Sequence, residues 1–266
     1  MGELIFVGLG LNDDLGISLR ALEETKSADH IFIELYTSLL PDFSVNGFTE
    51  LTGKTPKKVT RKELEDENGE LILNAAQSGK TVLLVPGDPL IATTHVALRI
   101  AAEKRKIRTR IIHGASILSA AIGLSGLHNY KFGKSVTIPF PDETPSTTPY
   151  QTITENKKRD LHTLCLLDIR PEEKRYLTIN EGLKELIRVE KMKNENTVSH
   201  ETLAVGVARA GSIQPTVKAA SVKELLDYDF GPPPHTLIFP GKLHFMEVDA
   251  LITLADAPET LRRLSE

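Results

Sequence analysis

Residues 82–95 read VLLVPGDPLIATTH, four uninterrupted apolar residues running into a loop braced by two prolines. A strand buried on both faces, as in a parallel sheet, is apolar at every position, whereas a strand with one wet face alternates. Val82, Leu83, Leu84 and Val85 therefore predict a buried parallel strand. Ligands of open parallel sheets bind beyond the carboxyl ends of the strands, which is where the following loop stands. Pro86 and Pro89 stiffen that loop, Gly87 allows a tight bend, and Asp88 offers a carboxylate on a rigid support. The same residues also suit an Asx-type turn with a structural aspartate.

On either side, the runs 4–7, 31–35 and 110–113 alternate with helix-like stretches, the signature of a parallel α/β sheet. Ser18 is placed to cap a helix carrying Leu19, Leu22 and Lys26. Leu71, Ile72 and Ala75 form a stripe ending at Gly79, expected to close the helix with positive φ, and Thr94 is a candidate cap for a helix bearing Ala97, Leu98 and Ala101. Segment 134–150 holds four prolines and many hydroxyl residues, which predicts an irregular loop or a domain seam. Beyond it, strand-like runs at 162–169, 203–208 and 236–239 are separated by helices with clear starts. Thr178 with Glu181 and Ser221 with Glu224 both match the capping box. The expected organisation is an N-terminal parallel α/β domain, 1–113, and a C-terminal α/β domain, 114–266, with a mixed sheet.

Composition narrows the function. A formal net charge of −4 over 266 residues lacks the basic excess with which nucleic-acid binders neutralise phosphate, so no nucleic-acid partner is expected. The apolar runs are a few residues long, against about 20 for a membrane span. The N-terminus opens on a strand-like run, and with one cysteine, Cys165, the reading is a cytoplasmic protein without disulfides. His95, His113, His128, His162, His200, His235 and His244 are scattered, with no H-E-x-x-H or similar spacing, so no metal is expected. A G-x-S-x-G elbow and a P-loop are also missing, which removes the usual support for hydrolase and kinase readings.

Several strand ends are candidates for a site. VGLGLNDDLG (7–16) carries Gly8 and Gly10 as G-x-G, but Asp13 occupies the place of the third small residue, so a tight packing turn explains it as well as a dinucleotide loop does. HGASILSA (113–120) sets Ser116 at a helix start, where a hydroxyl and free amides cap the helix or bind an anion. LLDIRPEEKRY (166–176), VARAGS (207–212) and GPPPHTLIFPGKLHF (231–245) each join Gly, Pro or a charge to an apolar run. Turn chemistry accounts for each separately, though not for Arg209 inside so apolar a stretch. The residues by themselves give a two-domain α/β protein with a small-molecule cleft.

Taken in order, VGLGL (7–11), ELYTSL (34–39), GDPLIATTH (87–95), HGASI (113–117), GLHNYKFGKS (126–135), HTLCLLDI (162–169), ARAGS (208–212) and PPHTLIFPGKLH (233–244) resemble the tetrapyrrole-methylase-like family of S-adenosylmethionine methyltransferases. GDPLIATTH and YKFGKS point to its diphthamide-biosynthesis branch. The resemblance implies two α/β domains with S-adenosylmethionine in the cleft between them, S-adenosylhomocysteine as product, and a homodimer. It implies cofactor contacts at Leu11, Asp88, Ile91, Ser116, Ile117, Leu167, Ala210 and His235, largely through main-chain atoms. The implied substrate is a histidine of elongation factor 2 bearing a 3-amino-3-carboxypropyl group, methylated on its amine to a trimethylammonium. No catalytic base is implied. Gly114 stands where the resemblance leads one to expect Asn or Ala, with a small expected effect on binding. Two alternatives stay open: a cobalamin-pathway methylase acting on a tetrapyrrole, and a nucleotide-binding regulatory protein without catalysis.

Overall fold

In the computed structural model, which describes residues 2–264, the chain divides into two compact units, Met1–Ile117 and Leu118–Glu266. The first contains β1 (Glu3–Gly8), α1 (Leu19–Lys26), β2 (His30–Glu34), α2 (Val45–Thr52), β3 (Lys57–Val59), α3 (Glu70–Ser78), β4 (Lys80–Val85), α4 (Val96–Lys104) and β5 (Arg108–Ile112). All its strands run parallel in the order β3-β2-β4-β1-β5, so the run at 82–85 is the central strand, as its composition requires. Successive residues feed opposite faces. Leu83 and Val85 pack with Phe6, Ile72, Leu73 and Leu98, whereas Val82 and Leu84 pack with Ile5, Val7, Ala21 and Phe48. Burying each large side chain contributes roughly 1.5–3 kcal/mol.

The amino edge of this sheet is tied by ions. Arg110 on β5 donates to both oxygens of Glu3 on β1, at 2.8 and 3.1 Å, and to both oxygens of Glu24 on α1 at 2.8 Å; Lys80 of β4 meets Glu24 at 2.5 Å. Hydrogen bonds from Arg110 and then Lys80 hold the Glu24 carboxyl down to about 2. A depressed carboxylate stabilises the fold fully above its unfolded value near 4.5, and that contribution is lost as pH falls towards 2. Glu24→Gln is therefore expected to flatten stability against pH below about 4.5 by up to one proton's linkage, about 1.4 kcal/mol per pH unit. Acid unfolding of wild type and variant checks this, and superimposable curves below pH 4.5 refute it.

The second unit contains α5 (Ile117–Ser125, opening on the last residue of the first unit), β6 (Val136–Ile138), α6 (Thr148–Lys157), β7 (Thr163–Leu167), β8 (Ile169–Arg170), β9 (Arg175–Tyr176), α7 (Ile179–Lys193), β10 (Leu203–Ala208), β11 (Thr216–Ser221), α8 (Val222–Asp227), β12 (His235–Phe239) and α9 (Phe245–Leu254). Its five-stranded sheet, β11-β10-β12-β7-β6, is mixed: β6 and β7 run parallel and the other neighbours antiparallel. β8 and β9 form a separate two-stranded ribbon. The fold class read from the sequence, a parallel N-terminal sheet and a mixed C-terminal one, is the one observed.

Local expectations fared unevenly. Ser18 caps α1 by accepting the Ala21 N–H at 3.2 Å, and both capping boxes close, with Glu181 N–H on Thr178 Oγ1 and Glu224 N–H on Ser221 Oγ, each at 3.3 Å. Gly79 does follow α3, but its backbone is extended (φ −161°); a Cβ there meets Asp29 Oδ2 at 2.7 Å, so the crowding, not a left-handed turn, calls for glycine. Thr94 does not cap α4, because its hydroxyl donates to Glu65 Oε1 at 2.9 Å and His95 takes the capping place. Segment 134–150 is not wholly irregular: β6 lies in it and α6 begins at Thr148. Three residues paired in parallel with β7 suffice for β6, and a proline in the first turn suits α6.

Candidate active site

Three strand ends meet at the carboxyl edge of the N-terminal sheet. Gly10 and Gly87 exchange backbone hydrogen bonds, Gly10 N–H to Gly87 O at 3.2 Å and Gly87 N–H to Gly10 O at 2.7 Å. A Cβ on Gly8 sits 2.5 Å from both Gly87 O and Gly114 N, and one on Gly114 sits 2.4 Å from Gly87 O. These glycines serve close approach of main chains, so no third small residue is needed; Asp13 instead accepts the Leu15 N–H at 3.0 Å. The packing reading of G-x-G holds, and Gly114 takes part in it.

Asp88 leaves this crossing on a buried support. Its Oδ1 accepts the Leu90 N–H at 3.1 Å, the Asx turn the sequence allows, while Oδ2 lies 2.7 Å from His113 Nδ1. β5 ends at Ile112, one residue before His113. Leu11 is half-buried just past the Gly10–Gly87 bridge, Ile91 is exposed at the loop tip, and Ser116 and Ile117 stand where α5 begins. Five of the eight predicted contacts thus belong to segments leaving the carboxyl ends of β1, β4 and β5.

A second polar knot in this unit was not read from the sequence. Glu34, fully buried at the end of β2, accepts the N–H groups of Tyr36 at 2.9 Å and Thr37 at 3.1 Å, the Thr37 hydroxyl, and His95 Nε2 at 3.2 Å. His95 meets the Tyr36 ring edge-on at 6.2 Å, and the Arg61 guanidinium covers the same ring at 5.1 Å. Burial, then Glu34 and Glu65, push the Tyr36 phenol up, so it stays protonated. The available signal was an ionisable residue at the end of each apolar motif, Glu34 opening ELYTSL and His95 closing GDPLIATTH.

The other three predicted contacts share one edge of the C-terminal sheet. Ala208 pairs with His235, Leu166 pairs with Thr236 one step along, and Arg209 N–H donates to Pro234 O at 2.8 Å, which brings Leu167, Ala210 and His235 together. Arg209 now has its explanation. At φ 51° its guanidinium donates to Phe230 O, Pro232 O and Thr216 Oγ1, each at 2.7 Å, and pins the 230–234 loop. Both His235 nitrogens are engaged inside the unit: Nδ1 accepts the Ile179 N–H at 3.3 Å, and Nε2 donates to Gly231 O at 3.1 Å. Burial pushes His235 down, so its ring is neutral. Two residues past Ala210, the buried Ser212 hydroxyl has no hydrogen-bond partner.

The chemistry of this set is distinctive. Of the eight residues only Asp88 is charged, and none is Lys or Arg. None of the eight would repel a cationic ligand, and none is a lysine or arginine of the kind that holds a polyphosphate. Among the described residues no three His, Cys, Asp or Glu side chains converge as metal ligands do. Cys165 is fully buried in β7 and burial pushes its thiol up, which removes it as a nucleophile.

Comparison with known proteins bears on this geometry. The family model described as Tetrapyrrole (Corrin/Porphyrin) Methylases matches residues 3–226. The chain is 47% identical over 253 residues to a diphthine synthase of Methanocella arvoryzae, covering 95% of this chain and 98% of that protein. It is 46% identical to the diphthine synthase of Methanocaldococcus jannaschii, covering 95% and 99%. A crystal structure of diphthine synthase superposes with a TM-score of 0.90 at 42% identity, over 98% of this chain and 99% of that one.

Proposed function

Since this chain belongs to the tetrapyrrole methylase family and is an S-adenosylmethionine-dependent methyltransferase of diphthamide biosynthesis, we propose that its acceptor is the amine of a 3-amino-3-carboxypropyl group on a histidine of elongation factor 2, carried to the trimethylammonium. The observation that carries this reading is near-full-length identity to diphthine synthases, far above what a shared fold alone requires. It also implies a cytoplasmic homodimer.

The cofactor contacts are assigned to Leu11, Asp88, Ile91, Ser116, Ile117, Leu167, Ala210 and His235. The set fits a sulfonium and an adenine: it offers no cation to repel the sulfur and one buried carboxylate, and the Ser212 hydroxyl is unspent. His235 contributes through its main chain, because its ring is committed to Ile179 and Gly231. When bound, the cofactor supplies an electrophilic methyl on a cationic sulfur. The chain's own work is alignment and exclusion of water, and alignment alone can supply about 7–11 kcal/mol.

Asp88→Ala is expected to weaken S-adenosylmethionine binding about tenfold, or about 1.4 kcal/mol. Calorimetric titration checks this, and an unchanged affinity removes Asp88 from the site. The reading as a whole is tested by mass spectrometry of elongation factor 2 carrying the aminocarboxypropyl histidine, after incubation with enzyme and S-adenosylmethionine, since each methyl is countable. No mass gain there, with turnover of a precorrin, moves the protein to the cobalamin-pathway reading. Binding of S-adenosylmethionine with no transfer to either acceptor favours a regulatory binder.

A further inference from the structure

Among the described residues, the three histidine–carboxylate pairs within 3.2 Å differ in one respect. His95 and Glu34 are 3.2 Å apart with side chains 2% and 0% exposed. His162 and Glu247 are 2.8 Å apart, both 0% exposed, and the second nitrogen of His162 is spent on the Gly241 N–H at 2.9 Å. His113 and Asp88 are 2.7 Å apart, with the acid 6% exposed and the imidazole 73% exposed. The first two pairs are closed to any ligand, whereas the third presents its ring to one.

The orientation of that ring is determined. Asp88 is anchored by Leu90 N–H at one oxygen and accepts the proton on His113 Nδ1 at the other. The lone pair of the neutral ring is therefore on Nε2, the nitrogen away from the acid. Among the described residues, Asp88 is the charged group within hydrogen-bond reach of the ring. Gly114 holds the backbone next to His113 in close packing, so the imidazole is mounted rigidly at the same sheet edge as Leu11, Asp88 and Ile91. A buried carboxylate that fixes one imidazole nitrogen and leaves the other basic and accessible is the arrangement of a general base.

The proposed reaction needs one. The acceptor amine is mostly protonated at neutral pH, so only a small fraction carries a free nitrogen pair. We propose that His113, oriented by Asp88, is the general base that takes the proton from the acceptor ammonium before each methyl transfer; this rests on the methyl-acceptor reading given above. The N–H bond breaks, its electron pair stays on the amine nitrogen, and the proton passes to His113 Nε2. The imidazolium, steadied by the Asp88 carboxylate, then releases that proton to water. The amine pair is left free to form the new carbon–nitrogen bond as the sulfur departs as a neutral thioether.

The test compares wild type, H113N and H113Q on elongation factor 2 bearing the aminocarboxypropyl histidine. Methyl transfer at pH 7 is expected to fall about 10²- to 10⁴-fold in both variants. The deficit should shrink as pH rises towards the amine's own range, while calorimetric affinity for S-adenosylmethionine stays within about twofold, since a base adds little to ground-state binding. Independently of activity, nitrogen NMR of the wild type, with the His113 signal assigned by its loss in H113N, should show that the neutral ring carries its proton on Nδ1 and leaves Nε2 bare. Variants that transfer at the wild-type rate, a loss of rate matched by loss of cofactor affinity, or an Nε2–H tautomer overturn the assignment. A wild-type enzyme inert on the modified elongation factor overturns the acceptor reading, and this assignment with it, whereas an active wild type with unimpaired variants overturns this assignment alone.

Discussion

Glu247→Ala is expected to cost the C-terminal unit about 3–5 kcal/mol, the range for breaking a buried ionic cluster by removing one partner. The carboxylate is wholly buried at the start of α9. It accepts the N–H of His128 at 2.9 Å and of His244 at 2.8 Å, His162 Nε2 at 2.8 Å, and the ammonium of Lys131. Truncation leaves these donors without their shared acceptor, the fully buried His162 ring among them. Although burial works to raise its pKa, the hydrogen bonds from His244 N–H, Lys131, His128 N–H and His162 prevail and hold it down to about 2. Folded-state depression of a carboxyl adds stability above the unfolded value near 4.5, here about 3 kcal/mol, and this is lost as pH falls towards 2. The variant should lack that acid limb as well as unfold at lower denaturant. Hydrogen exchange of β7 and α9 amides localises the loss to this unit, and an unfolding free energy within about 1 kcal/mol of wild type contradicts the account.

Glu34→Ala should destabilise the N-terminal unit by about 3 kcal/mol, because each buried donor left unpaired costs about 1–3 kcal/mol and Glu34 serves the Tyr36 and Thr37 amides, the Thr37 hydroxyl and His95 together. The consequence reaches the site. His95 ends the loop that carries Asp88 and Ile91 and stands at the start of α4, so releasing it loosens the loop from one end. Weaker S-adenosylmethionine binding by calorimetry should accompany the lower denaturation midpoint. Glu34→Gln keeps the volume and part of the acceptor capacity, and its effect should fall between those of wild type and alanine. Equal stability in all three proteins contradicts a structural role for the Glu34–His95 pair.

These two carboxylates show how far the sequence could be read. ELYTSL, GDPLIATTH, GLHNYKFGKS and PPHTLIFPGKLH each stood out as a motif, yet nothing along the chain said that the first two are joined by Glu34 and His95, or that Glu247 binds the last two to HTLCLLDI. Local devices with a partner within one helical turn were legible at three helix starts, where Ser18, Thr178 and Ser221 cap as expected. Expectation failed where a distant neighbour intervened. Asp29 accounts for Gly79, and Glu65 draws the Thr94 hydroxyl off the helix end. The capping box of α9 does not show in the sequence pattern, because its N-terminal member is a histidine, His244 paired with Glu247.

What the sequence determined by itself was whatever depends on order along the chain. Apolar runs of strand length, spaced by helix-length segments, specify a parallel sheet through the solvation of alternate or successive side chains, which is a local property. What only the tertiary structure decided was which polar groups meet. Asp88 and His113 are 25 residues apart, Glu34 and His95 61, and His162 and Glu247 85. Their pairing follows from strand order and register, set by the packing of the whole sheet. The burial that leaves one imidazole of the three open to a ligand is likewise a property of the packed molecule, because exclusion of water requires every neighbouring element to be in place.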